Sequence, residues 1–145
     1  MATASQWFGQ AGGYLIARLW NAQDMRVILL NASYVPNVDT HLRYSDVSTY
    51  ELPAAGGYAV GGKSLATKTI AYDAAAHEYN LGAADLSWGP GATFQTRYGI
   101  ILEWDTTDKF LWGLLDFGTL EDVQNGTFTL DWSNYQLSVL KGPPV

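Results

Sequence analysis

The chain has 145 residues, eight basic and fourteen acidic, which give a net charge of −6 at neutral pH. This length fits one domain with a real core, and because the few basic residues are scattered, binding to a nucleic acid backbone is not expected. The absence of cysteine excludes disulfides, thiolate metal sites and thiol nucleophiles.

The composition is poor in charge and rich in aromatic side chains. Charged residues make up 15% of the chain and aromatic residues 14%, against about 25% charged residues in ordinary soluble domains. We therefore expect a surface that is mostly neutral or partly covered by neighbouring molecules. No apolar run has the length of a membrane span, and residues 1–10 show no secretion signal, which predicts a protein made in a cytoplasm without membrane contact.

The first predicted element is an N-terminal helix or arm within residues 1–20. Apolar side chains between Trp7 and Trp20 recur every three or four positions, as on an amphipathic helix. Each interior glycine costs a helix roughly 1 kcal/mol, so a start as late as Gly13 is the alternative. The next run, Met25 to Leu30, is rich in β-forming residues and predicts a buried strand.

A long ordered loop is predicted over residues 32–57, where turn formers compete with regular structure by local hydrogen bonding. We expect one helical turn around His41 to Val47. Short strands are predicted at Tyr58 to Val60 and, more strongly, at Leu65 to Tyr72. A hairpin loop of about four residues then leads into a strand at His77 to Leu81.

The second half of the chain predicts further strands. Between Phe94 and Trp104 aromatic and aliphatic residues alternate with polar ones, which predicts a strand with one solvent-facing side. Turn formers delimit the other runs. The predicted strands are Asp85 to Trp88, closed by Gly89-Pro90-Gly91; Phe110 to Phe117, after the turn Asp105 to Asp108; Thr127 to Trp132, after Asn125-Gly126; and a last one holding Tyr135, Leu137 and Val139, stopped by Gly142-Pro143-Pro144.

About eight short strands at intervals of roughly ten residues predict the fold class. We expect residues 1–145 to form a single all-β domain, a jelly-roll-like antiparallel β-sandwich with a short N-terminal helix.

One segment matches the phosphate-binding loop pattern letter for letter, from Gly57 to Ser64. That loop functions between a buried parallel strand and the N-terminus of a helix. Here β-branched alternation follows instead of a helix, so we expect a glycine-rich connection between strands. Asp116 follows Leu114-Leu115 in a run that is typical of an antiparallel strand, so it is not expected to be a magnesium ligand.

The ionisable residues give no other convincing site. His41 and His77 each have carboxylates nearby but need convergence from separate loops to bind metal, and His41 is expected to brace the long loop. Glu103, Asp105 and Asp108, and the pair Glu121-Asp122, are expected to be solvated loop charges; a calcium site at Asp105 to Asp108 stays an alternative with few ligands. We therefore predict no catalytic, cofactor-binding or metal-binding residues.

The tryptophans are the last candidates, because exposed aromatic rings can bind sugars or partner proteins. Trp88, Trp104, Trp112 and Trp132 fall within predicted strands, so core packing is the expected role for most of them. An exposed tryptophan is more consistent with a subunit interface than with a carbohydrate platform.

Several short motifs together resemble a family of small virion proteins of tailed bacteriophages. These motifs run in order along nearly the whole chain, and none is catalytic. They are Met25 to Leu30, Tyr34-x-Pro36-Asn37-x-Asp39-Thr40-His41, Tyr44 to Val47, Gly56-Gly57-Tyr58, Leu65 to Asp73, Ala84 to Trp88, Arg97 to Ile101, Leu114 to Gly118 and Asn125 to Leu130.

The resemblance implies a non-enzymatic structural part of a phage particle that assembles in the bacterial cytoplasm. The first expectation is a capsid decoration (cement) protein on the outer surface of the shell. Its implied partners are the major capsid protein or other virion proteins, and further copies of itself in a homo-oligomer, with neither nucleic acid nor membrane as a partner. The alternatives are a tail or neck component that contacts the host, and a carbohydrate-binding module; an enzyme is the least expected.

Overall fold

The computed structural model describes residues 11–132 and 137–139 of the chain. In these ranges one helix precedes seven strands, and every strand pairing is antiparallel. The elements are α1 (Ala11–Ala22), β1 (Met25–Leu30), β2 (Lys63–Ser64), β3 (Thr69–Asp73), β4 (Glu78–Gly82), β5 (Leu86–Glu103), β6 (Leu111–Leu130) and β7 (Leu137–Val139). The predicted antiparallel, mostly β class is thus confirmed. The helix α1 is too short to cross a membrane.

The helix begins before the alternative start at Gly13, since Ala11, Gly12 and Gly13 already belong to α1. The predicted portion from Trp7 to Gln10 lies outside the described residues, as do Tyr135 and the stop at Gly142-Pro143-Pro144. Trp20 of the helix is buried in the core, and Ile16 packs against the same core.

Four strands form the larger sheet, in the order β2-β1-β5-β6. Its main body is the hairpin of β5 and β6, two strands of 18 and 20 residues joined by the turn predicted at Asp105 to Asp108. The predicted breaks at Gly89-Pro90-Gly91 and Asn125-Gly126 are wrong. Both segments lie inside the strands, where the pairing register shifts and where Gly89, Gly91 and Asn125 adopt positive φ angles. The turn-forming residues therefore lie in β-bulges, and the pairing of β5 with β6 continues past them.

Three strands form the smaller sheet, in the order β3-β4-β7. The predicted hairpin between β3 and β4 is confirmed, with the four residues 74–77 between the strands. Its turn is stabilised by the Asp73 carboxylate, which accepts backbone N–H bonds from Ala75 and Ala76. Leu81 of β4 and Ile70 of β3 pack into the same core as Trp20.

The larger sheet has an apolar cluster on each face, because alternate residues of β1 point in opposite directions. Val27 and Leu29 belong to the first cluster, with α1 and the smaller sheet. Ile28 and Leu30 belong to the second cluster, which residues of the long loop cover. All four side chains are fully buried.

The prediction of a solvent-facing side for Phe94 to Trp104 is wrong. Ile101 packs in the first cluster, Ile100 and Leu102 pack in the second, and Glu103 is buried as well. The common face is also broken, since Phe94 packs against the first cluster and Tyr98 against the second. A register irregularity between Thr96 and Tyr98 accompanies this change of side.

The connection from β1 to β2 comprises residues 31–62 and contains two 3-10 turns, Tyr44–Asp46 and Ser48–Tyr50, near the predicted helical turn. The predicted strand at Tyr58 to Val60 is wrong, because this stretch is irregular and leads into the turn before β2. At the end of the connection, a Cβ on Gly62 would lie 1.8 Å from the Val27 carbonyl oxygen. Only glycine allows the loop to approach the backbone of β1 this closely.

Candidate interaction surface

The long loop is anchored to the second cluster by Tyr34, a buried side chain with aromatic neighbours. Its ring lies 5.4 Å from that of Tyr50 and 5.6 Å from that of Tyr98, and its hydroxyl bonds to Nδ1 of His41 at 2.8 Å. Burial raises the pKa of Tyr34 above its ordinary value. His41 thus braces the loop, as the sequence predicts.

Side-chain caps hold the outer part of the loop between residues 37 and 46. The side-chain oxygen Oδ1 of Asn37 accepts the backbone N–H groups of Asp39 and Thr40, each at 3.2 Å. The Asp46 carboxylate accepts those of Leu42 and Arg43 at 2.8 and 2.9 Å. These two backbone bonds lower the pKa of Asp46, which therefore favours the ionised form that holds the turn.

The Glu51 carboxylate joins the middle of the loop to its last part. Glu51 accepts hydrogen bonds from the hydroxyl of Tyr44, from that of Tyr58 at 2.5 Å, and from the Gly61 N–H at 2.8 Å. The Tyr58 oxygen in turn accepts the buried backbone N–H of Leu29 at 3.1 Å. Burial, followed by the Glu51 bond, raises the pKa of both tyrosines.

This bracing presents an apolar surface, which we call the valine surface and define by Val35, Val38 and Leu42. Their exposed fractions are 76%, 74% and 48%. Val38 also lines a cavity of about 90 Å³ between the loop and the sheet, together with Tyr34, His41, Leu111 and Trp112. The valine surface is therefore held in place before any partner binds. The sequence patterns above do not predict this surface, although three apolar residues among turn formers are a signal for it.

The segment that matches the phosphate-binding loop has another role. It leads into strand β2 and not into a helix, as predicted, and the Gly61 N–H is directed to the Glu51 carboxylate. The Lys63 ammonium group donates a hydrogen bond to the Ser87 carbonyl oxygen and lies over the Trp88 ring. The Glu51 carboxylate therefore already accepts the Gly61 N–H, one of the backbone donors that a bound phosphate would need.

The predicted acidic cluster separates into different environments. Glu103 is only 7% exposed and accepts bonds from Trp112 Nε1 at 3.0 Å and Thr106 Oγ1 at 3.1 Å, so its prediction as a solvated charge is wrong. Asp105 and Asp108 are exposed, and Asp108 pairs with Arg43. Glu103 lies before the turn, at the end of β5. It is buried because β6 returns alongside β5 after the turn.

The remaining ionisable candidates stay apart. Asp116 is exposed and pairs with Arg97, which lowers its pKa. His77 lies at the tip of the β3-β4 hairpin, away from the loop that holds His41. Within residues 11–132 and 137–139, no three side chains of His, Asp or Glu are grouped as metal ligands.

The described tryptophans are mostly covered. Trp88 of β5 is buried, as predicted for a strand residue. Trp132 is buried as well but follows the end of β6, so its predicted strand position is wrong, and Trp20 of the helix is buried too. Trp104 is half-buried, and the Arg26 guanidinium and the Lys109 ammonium lie 5.3 and 4.8 Å from the centre of its ring. Trp7 lies outside the described residues. Trp112 of β6 is also half-buried, so Trp104 and Trp112 are the two described tryptophans that stay partly exposed.

Comparison with known proteins adds no relative. No protein family, no curated protein and no solved structure matches the chain. Function is therefore inferred from the valine surface, the charge distribution and the sequence motifs.

Proposed function

We propose that the protein is a non-enzymatic structural component of a bacteriophage virion, a decoration protein on the outer surface of the capsid. The observation that carries this proposal is the valine surface, an exposed apolar patch on a loop whose backbone is braced by Tyr34, Asp46 and Glu51. Scattered single apolar residues are ordinary on a surface, but three on one braced loop beside a cavity suit a protein partner.

The energetics of such binding favour a lattice partner. Each apolar contact contributes only about 25 cal/mol per Å² buried, so one small patch binds weakly. A shell presents identical sites at fixed spacing, and an oligomer that engages several of them multiplies its affinity. Because the loop is already ordered, little conformational entropy is lost on binding. The net charge of −6 disfavours contact with packaged DNA and suits an outer surface.

The finer parts of the proposal rest on the sequence motifs. We infer that the two sheets belong to a jelly-roll-like sandwich, that the partner is the major capsid protein or another virion protein, and that the chain forms a homo-oligomer. A tail or neck component that contacts the host is the alternative, since the same surface would serve there. A carbohydrate-binding module has less support because Trp20, Trp88 and Trp132 are buried.

The test is to locate the chain in the particles that contain it. Electron microscopy of virions with and without the protein should show added density at regular positions over the shell. Val38→Asp should abolish this density because a buried charge is costly at an apolar contact. Val60→Asp is the matched control, because Val60 is 55% exposed and lies on another part of the loop.

Three outcomes would contradict the proposal. Density confined to the tail or neck would replace capsid decoration by the alternative, and absence of the protein from particles would remove both. Equal occupancy of the two variants would show that the valine surface does not bind the shell.

A further inference from the structure

A second surface, separate from the valine surface and independent of the proposed virion role, lies along β6. This strand is the outermost of the larger sheet in the described part of the chain. The long loop reaches its outer edge at the first residue, where Leu111 N–H donates to the Leu42 carbonyl and Arg43 forms a bridge with Phe110. In an antiparallel ladder, alternate residues direct their backbone groups to the side away from the partner strand. An outermost strand of this length is therefore a template for strand addition.

The shape of the molecule marks one part of this edge. An open groove of about 420 Å³ runs along β6 between Glu121 and Thr129, and all of its lining residues belong to this strand. A site lined by one strand is the space that a neighbouring strand would fill. Nine residues span about 30 Å, which accommodates an extended segment of about eight residues.

Charge indicates which segment fits. Between Phe110 and Leu140 the sequence has no Lys or Arg, whereas Glu121 and Asp122 lie together in the groove. Arg97 of β5 is paired with Asp116, so it does not neutralise this pair. Glu121 and Asp122 are consecutive and point to opposite faces of the sheet, so their cross-strand neighbours would also be consecutive.

We propose that the edge of β6 from Glu121 to Thr129 binds an extended segment of another protein by strand addition, and that this segment carries two adjacent basic residues among β-forming ones. Backbone hydrogen bonds would hold the segment, and the two cations would set its register. A second copy of the chain fits less well, because its own edge would bring further acidic residues and no cation to the groove.

The proposal is tested with peptides on the full-length protein. The probe is a fluorescent eight-residue peptide of alternating Thr and Val with a central Lys-Arg pair, and binding is measured by anisotropy at low salt. Two matched peptides carry either Glu-Asp at the centre or N-methyl groups on alternate amides. We expect both to bind at least about tenfold more weakly, because the first reverses the charges and the second removes the backbone donors.

Charge-reversal variants locate the site on the protein. Glu121→Lys and Asp122→Lys should each weaken binding of the Lys-Arg peptide about fivefold. Asp39→Lys makes the same change in net charge on the exposed long loop and should leave the affinity within about twofold. Amide hydrogen exchange should show protection by the peptide between residues 121 and 129.

Four results would overturn the proposal. They are no binding of the Lys-Arg peptide, equal binding of the N-methylated peptide, an equal effect of Asp39→Lys, and concentration-dependent dimers protected along β6, which would make a second copy the occupant.

Discussion

The two faces of the larger sheet are covered in different ways. On one face α1 and the smaller sheet bury the first cluster with regular elements. On the other face the long loop buries the second cluster with two short 3-10 turns and otherwise irregular backbone. Irregular backbone can form a core layer only where its polar groups find partners, and here Asn37, Asp46 and Glu51 supply them. The comparison shows that a core layer depends on hydrogen-bond satisfaction as much as on regular structure.

The largest expected effect tests whether the loop layer is a true core. Leu29 and Leu30 are neighbours on β1, both fully buried, and they face the first and the second cluster respectively. We expect Leu29→Ala and Leu30→Ala each to lower the free energy of unfolding by about 2 to 5 kcal/mol. Urea denaturation of the two variants measures the difference directly. A loss below about 1 kcal/mol for Leu30→Ala alone would show that the loop is only a loose cover.

A smaller effect is expected from the bond that ties the loop to β1. Tyr58→Phe removes the hydroxyl that accepts the Leu29 N–H and donates to Glu51. The buried N–H loses its partner, so we expect a loss of about 1 to 3 kcal/mol in the free energy of unfolding. Tyr72→Phe, on the half-exposed strand β3, is the control and should cost less. Equal losses in the two variants would contradict a specific role for the Tyr58 hydroxyl.

The smallest effect is a pH dependence confined to the loop layer. The pKa of Asp46 is lowered in the folded state, so its contribution to stability is present above the unfolded pKa of about 4 and is lost as pH falls through the folded value. The protection of the Leu42 and Arg43 amides from hydrogen exchange, relative to the intrinsic rate at each pH, should therefore fall below about pH 4. Asp46→Asn should remove this acid response, whereas Asp39→Asn on the same loop should keep it. An unchanged acid response in Asp46→Asn would assign it to another group.

Particular elements show how far the sequence predicts the fold. The β3-β4 hairpin and strand β1 were predictable, because a run of β-forming residues bounded by turn formers depends only on local preference. The unbroken course of β5 and β6 was not predictable. Gly89-Pro90-Gly91 and Asn125-Gly126 have the same turn-like composition whether they end a strand or form a bulge within it. Both segments form bulges because β5 and β6 pair over a long distance, and no local sequence pattern predicts that pairing.

The interaction surfaces show the same limit. His41 was correctly expected to brace the loop, but the exposure of Val35 and Val38 was not foreseen. Glu103 was misjudged because its neighbours in sequence are turn residues, while the indole of Trp112 comes from the facing strand. Burial is a property of contacts between distant segments, so adjacent residues carry little information about it.

The sequence by itself determined the antiparallel β class, the helix before β1, the ordered nature of the long loop and the lack of basic residues along β6. Each of these follows from residue type, period or capping over a few neighbouring positions. Tertiary structure alone decided that the loop becomes the second core layer, that Phe94 and Tyr98 lie on opposite faces, and that the valine surface stays exposed. The physical reason is that register shifts and packing between distant segments choose which face of a strand is covered, and a one-residue shift reverses that choice.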